Sequence, residues 1–348
     1  METQVKGTKR YFTEINIARG IAVLLVLLGH SFPDAQTGIT NPIAKSIFSF
    51  VYAFHMETFF ALAGFVAARK VLSDNISFGK ELVNKIKRLM IPYLVYSVIT
   101  LILKLFLNEY ANNKFSLNEV WKILCGENPN GGLWYLWTLF FISLFALLVG
   151  IVIKKCNTGT KCMIFAVLGV LTYVVWMFVI REMSFLEFPG RILRYALFYN
   201  IGLIFANYYD SVDKKIFNVI IGVLLLVAVF FMVNSGVRVI THYLKVVMSI
   251  LGIYGVYSIA NFIDSKKNRV RDAFMGLGDY SYDIYLISYF VQVSIRVVCY
   301  KILGLNYWLV VACMFVFGLV VPILLSMFII RKVGLFRKLF LGDWKKKQ

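Results

Sequence analysis

Acidic residues are scarce in this chain: 18 Asp and Glu among 348 residues, against 37 Lys and Arg, with 16% of positions charged. A soluble globular protein carries about a quarter charged residues. Here 60% of the residues are hydrophobic and the mean hydropathy is +0.75. One water-facing core has no way to bury that excess, so a soluble protein is excluded. Histidine is rarer still, at three. The five cysteines (Cys125, Cys156, Cys162, Cys299, Cys313) show no CxxC or ligand-like spacing, so neither a zinc site nor a disulfide framework follows. No Walker loop, dinucleotide fingerprint, internal repeat or low-complexity segment is present. The first apolar run lacks a convincing cleavage site and reads as a retained span.

What the chain does have is apolar runs of about 18 to 22 residues, the length that crosses a bilayer as a helix. Ten spans can be drawn, at 15–33, 47–68, 89–108, 133–153, 162–180, 192–208, 216–233, 243–263, 278–298 and 308–330. The expectation is an all-α polytopic membrane protein, a single domain over 1–348, with both termini on one side. The tails and loops on that side hold 25 Lys and Arg, including a basic tail at 331–348, whereas the opposite loops hold 9. Short cytoplasmic loops carry the excess of Lys and Arg, so the termini are expected in the cytoplasm. The net charge of +19 is then a topology signal and calls for no nucleic acid. Membrane lipid is the expected surrounding.

Ionisable groups inside spans are expensive and mark candidate sites. Arg19 and His30 lie eleven residues apart on the first span, close to three whole turns, so they share a face about 16 Å apart along the axis. Snorkelling to the headgroups is the plain alternative for Arg19, and a capped histidine at the span's end is the alternative for His30. His55 and Glu57 in the second span fall at a similar depth to His30. They read either as a polar cluster that fixes helix packing or as a general base with its orienting partners. Lys85 and Arg88 form a basic cluster before Pro92, suited to phosphates or to ordinary positive-inside charge. Trp134 and Tyr135 open the fourth span, as an aromatic belt or a sugar-stacking platform. Arg191 and Arg194 suit an anionic acceptor or an interface anchor. Asp283, in an apolar stretch of the ninth span and grouped with the acceptor-side candidates, should have a partner. His242 reads as a surface residue. Asn128 to Gly132 is turn chemistry.

Several of these residues carry a resemblance. Arg19 and His30 match the Arg-x10-His pattern that opens the acyltransferase-3 family of membrane proteins. Phe54, His55, Met56, Phe59, Phe60 and Gly64 resemble the FHMxxFFxxxG segment of its sugar O-acetylase branch. Lys85 and Arg88 before Pro92 resemble RxxR-x-x-x-P, with Lys in place of the first Arg. Leu133 to Leu136 resembles LW(Y/F)L, and Ser281 to Leu286 resembles SYxIYL. Ser288 stands where many relatives carry a histidine. The resemblance implies a ten-helix plasma-membrane domain that moves an acyl group, usually acetyl, from cytoplasmic acyl-CoA (acetyl-CoA) to a hydroxyl of a cell-envelope glycan outside. No tightly bound cofactor or metal is expected. It makes His30 the catalytic histidine, Arg19 the essential cation on its helix, and Arg88 with Lys85 the donor-side element. No appended soluble domain is visible, so helices and short loops are expected to read the acceptor. The alternative from a different class is a glycan or small-molecule exporter with buried His, Asp and Glu as a proton relay.

Overall fold

In the computed structural model, residues 12–344 are described apart from 36, 108–116, 129 and 184–185. Lys6, Lys9, Arg10, Lys114 and Lys345 to Lys347 of the charge tally, and the side chain of His242, lie outside the described residues. The described chain is helical: α1 (Thr13–His30), α2 (Pro42–Tyr52), α3 (His55–Val71), α4 (Phe78–Lys85), α5 (Ile91–Leu107), α6 (Trp134–Val152), α7 (Thr158–Val175), α8 (Glu187–Tyr208), α9 (Val219–Asn234), α10 (Arg238–His242), α11 (Lys245–Ser265), α12 (Arg269–Ile295), α13 (Tyr307–Leu325) and α14 (Gly334–Leu341). Eight helical stretches are long and apolar enough to cross a membrane, counting α2 with α3 and α4 with α5 as one each. α9 is apolar but shorter. α8 has 22 residues but is more polar, and it is packed among α3, α6 and α7.

Five of these helices start on asparagine. Asn41, Asn157, Asn218, Asn268 and Asn306 each accept from backbone N–H groups of the first turn, a cap worth about 1 kcal/mol apiece. Proline shapes another start. Pro92 has no N–H to offer the carbonyl of Arg88, and the Tyr282 hydroxyl donates to that oxygen instead, at 2.6 Å. A π turn at Ile86–Met90 joins α4 to α5 just before it.

Lipid tails give helices no hydrophobic reason to associate, so close packing of small residues and polar links must hold them together. α3 and α8 run antiparallel at backbone contact. A Cβ at Gly64 would overlap the carbonyl oxygen of Tyr199, and one at Gly202 the carbonyl oxygen of Ala61. α1 and α12 run side by side in the same direction, with Gly278 against the backbone of Asn16. Asn16 Nδ2 donates to Met275 O at 3.0 Å and to Asp279 Oδ1 at 2.9 Å. At the other end of α1, Gln292 Nε2 donates to Leu27 O at 3.0 Å and to the Ser31 hydroxyl at 3.1 Å. Both ends of α1 are thus fixed, and with them Arg19 and His30. Part of the basic C-terminal segment is folded: α14 packs on α5, with Leu341 in the core.

Replacing Gly202 with Ala should destabilise the protein by about 1–3 kcal/mol through overpacking. Gly276→Ala, where a Cβ meets nothing within 4 Å, should be neutral or stabilising. Thermal unfolding of both variants in detergent checks the contrast.

Candidate functional site

His30 is the last residue of α1 and His55 the first of α3. They share one cavity, into which the break between α2 and α3 brings His55. The break is satisfied from α11 and from the first turn of α3: Ser249 Oγ donates to Ala53 O at 2.8 Å, and Thr58 Oγ1 to Phe54 O at 2.9 Å. Tyr52 sits between the two imidazoles, its ring centroid 6.2 Å from that of His30 and 4.6 Å from that of His55. Gly29 leaves room for it, since a Cβ there would lie 3.0 Å from the Tyr52 ring. His55 Nδ1 lies 2.8 Å from Val51 O. A carbonyl only accepts, so Nδ1 carries the proton, and Nε2 of the neutral ring is the acceptor. Among the described residues, no hydrogen bond holds the His30 ring.

Both histidines line a cavity of about 280 Å³, walled also by Tyr52, Trp134, Arg191 and, before α6, by Asn128, Asn130 and Gly131. Trp134 and Arg191 line a second, adjoining cavity of about 520 Å³, which takes in Trp176, Arg194 and Tyr195. Arg191 lies over the Trp134 ring at 5.1 Å and reaches Glu187 at 2.5 Å. That pair is largely exposed, and such pairs contribute little. Arg194 instead forms a buried ion pair with Glu57 at 2.5 Å and stacks over Tyr195.

Arg19 lies in a different place. It lines a cavity of about 1080 Å³ at the opposite end of α1, with Asn16, Arg69, Lys70, Lys80 and Glu81. Lys70 Nζ pairs with Glu81 at 2.5 Å, so the lining keeps a cationic excess. Tyr135 stands between the two levels. Its hydroxyl is 3.4 Å from Phe59 O, its ring meets Tyr285 edge-on at 5.5 Å, and it is close enough to feel the charge of Arg19. One helix therefore presents a guanidinium to one chamber and an imidazole to another.

The family model of the acyltransferase domain, acyltransferase 3, matches residues 12–327. The chain belongs to this family. No curated protein and no solved structure matches it. Its apolar helices and this match make it a multi-pass membrane acyltransferase.

Within this acyltransferase, the residues singled out on sequence separate into groups. His30, His55, Trp134 and Arg191 share the smaller cavity, Arg194 lies in the adjoining one, and Arg19 faces the basic chamber. Tyr135 is buried with its ring edge-on to Trp134 at 6.5 Å, and it lines neither of the two cavities that Trp134 lines. Glu57 is spent on Arg194 and not on His30. Arg88 donates to Leu341 O at 2.6 Å and lies over the Tyr282 ring at 4.1 Å, so it docks α14 and does not line the basic chamber. Lys85 stays within electrostatic range of Lys70 and Glu81 at that chamber. Asp283 has its partners at the Arg19 end of α12. Arg331 Nε donates to it at 2.8 Å, and the Ser326 hydroxyl also donates to it. Sequence reasoning missed Arg69, Lys70 and Lys80 as lining residues, although their place after the second span put them at the same end as Arg19. It also missed Tyr52 and Asn130.

The Glu57–Arg194 pair is buried, and removing one partner strands the other charge, at a cost of about 3–5 kcal/mol. Glu57→Ala should therefore unfold at markedly lower temperature than Glu57→Leu combined with Arg194→Met. Additive losses in such a double-variant cycle would overturn the pairing.

Proposed function

We propose that the protein takes an acyl group, acetyl in the first instance, from acyl-CoA on the cytoplasmic side and passes it to a hydroxyl of a cell-envelope glycan on the outer side. The observation that carries this reading is the pair of chambers joined by α1, basic around Arg19 and imidazole-lined around His30. In this reading the chain crosses the plasma membrane ten times, with α8 and α9 added to the eight apolar stretches, and the Lys-rich and Arg-rich loops lie inside.

The chemistry follows from the residues. Phosphates of the donor need a cationic cradle, and Arg19, Arg69, Lys70 and Lys80 supply one. The separation of Arg19 and His30 is about 16 Å along the helix, a span that a long, thin pantetheine arm can bridge while the nucleotide stays in the basic chamber. Among the described residues His30 has no hydrogen bond to give up, so it can take the proton of an acceptor hydroxyl as that oxygen attacks the thioester carbonyl. Tyr52 and His55 set its surroundings, and Glu57 is left to hold Arg194. Trp134 offers a face for a sugar ring. Arg191, weakly held by Glu187, offers a guanidinium to a carboxylate or phosphate on the acceptor.

The test uses purified protein in liposomes with labelled acetyl-CoA, and the envelope glycan fraction of the source cells as acceptor. His30→Ala should lower turnover about 10²–10⁴-fold with membrane insertion unchanged. Arg19→Ala should mainly weaken use of acetyl-CoA. Wild-type protein that leaves the thioester intact would overturn the reading in favour of an exporter.

A further inference from the structure

The turn before α6 contains a buried amide that the fold leaves unused. Asn130 is 1% exposed and lines the same cavity as His30. Its Oδ1 accepts from Gly132 N–H at 3.0 Å. That bond fixes which end of the amide is oxygen, and the other end, Nδ2, is buried with no hydrogen-bond partner among the described residues. A buried donor without a partner is costly, about 1–3 kcal/mol, and such groups call for an explanation.

The amide is also held in place. Asn130 N–H donates to Asn128 Oδ1 at 2.9 Å, and Asn128 Nδ2 donates to Ser97 Oγ at 2.5 Å. Ser97 Oγ in turn donates to Tyr93 O at 2.5 Å, which ties the turn to α5. A donor held in the turn, with no partner among the described residues and in the lining of the same cavity as a candidate base, matches what transition-state charge requires, because preorganised donors cost no reorganisation when charge develops.

We propose that Asn130 is a catalytic residue whose Nδ2–H stabilises the oxyanion formed during acyl transfer. This rests on the acyltransferase reading above. In the step, the acceptor hydroxyl gives its proton to the His30 ring and its oxygen bonds to the thioester carbon. The carbonyl π pair moves onto oxygen, where Asn130 donates to it. When that pair returns, the C–S bond breaks, and the departing thiolate takes the proton from the His30 imidazolium. Nothing else is consumed.

Asn130→Asp keeps an oxygen for Gly132 N–H and puts an acceptor-only carboxylate oxygen where the amide donor was, while Asn130→Ala removes the donor without adding that charge. In the liposome assay with labelled acetyl-CoA and the source cells' glycan fraction, Asn130→Asp and Asn130→Ala should each lower kcat about 10²–10³-fold. KM for acetyl-CoA and binding of unreactive CoA should stay within about twofold. An Asp variant with kcat within about threefold of wild type would overturn the role of Asn130 alone. Loss of CoA binding and kcat together in both variants would also overturn it, in favour of a structural turn. No thioester loss in wild type would overturn the enzyme reading with it.

Discussion

Inside a bilayer a polar group finds a partner within the protein or stays unsatisfied, and that constraint arranges this molecule. Asn16 is held by α12, Asp283 by Arg331 and Ser326, and Glu57 by Arg194. Each link crosses between helices that lipid would not otherwise press together. The same links set the helix positions, so the stabilising network and the chambers are one construction. Lys161, 1% exposed, follows the rule at the far end of α7, where it reaches Leu72 O at 3.0 Å and Asp74 at 2.5 Å.

Against that background two of the groups without a hydrogen-bond partner among the described residues gain meaning. His30 and Asn130 both line the smaller cavity, on elements that are otherwise well tied. Gln292 and Ser31 hold the end of α1, and Asn128 and Ser97 hold the turn before α6. Rigid support with an unpartnered tip is the arrangement a reacting site needs, since catalysis depends on groups already positioned when charge develops.

The helical class and most of the membrane stretches were legible from hydropathy, because a span needs a long apolar run and little else. Their ends were less so. The third span begins at Phe78 rather than 89, since α4 is polar and hydropathy sees only the continuation through the π turn into α5. The second is two helices broken at Ala53 and Phe54, with neither Gly nor Pro to announce it. Helix ends at Ile180, and α8 begins at Glu187, five residues before the expected 192–208 stretch and outside the eight apolar stretches. Within the site, Arg19 and His30 were legible because helical period alone aligns them. Glu57 reads from sequence as an orienting partner for His30 because the two fall at a similar depth, whereas in the structure it pairs with Arg194. Its partner lies 137 positions away, a distance no local pattern bridges.

α8 shows how the two demands, packing and chemistry, meet in one helix. Its polarity keeps it below the hydropathy of a typical span, yet Gly202 lets it lie against the backbone of α3, where few lipid contacts remain. Burial there permits Arg194, which would be intolerable facing lipid, because Glu57 on α3 neutralises it. One turn earlier, Arg191 points to the cavities with its plane over Trp134. Two arginines three residues apart thus divide the work: the deeper one fixes the helix, and the shallower one is presented to whatever enters. Swapping their environments would leave neither role intact, because an unpaired Arg194 would destabilise the α3–α8 contact that holds Arg191 beside Trp134.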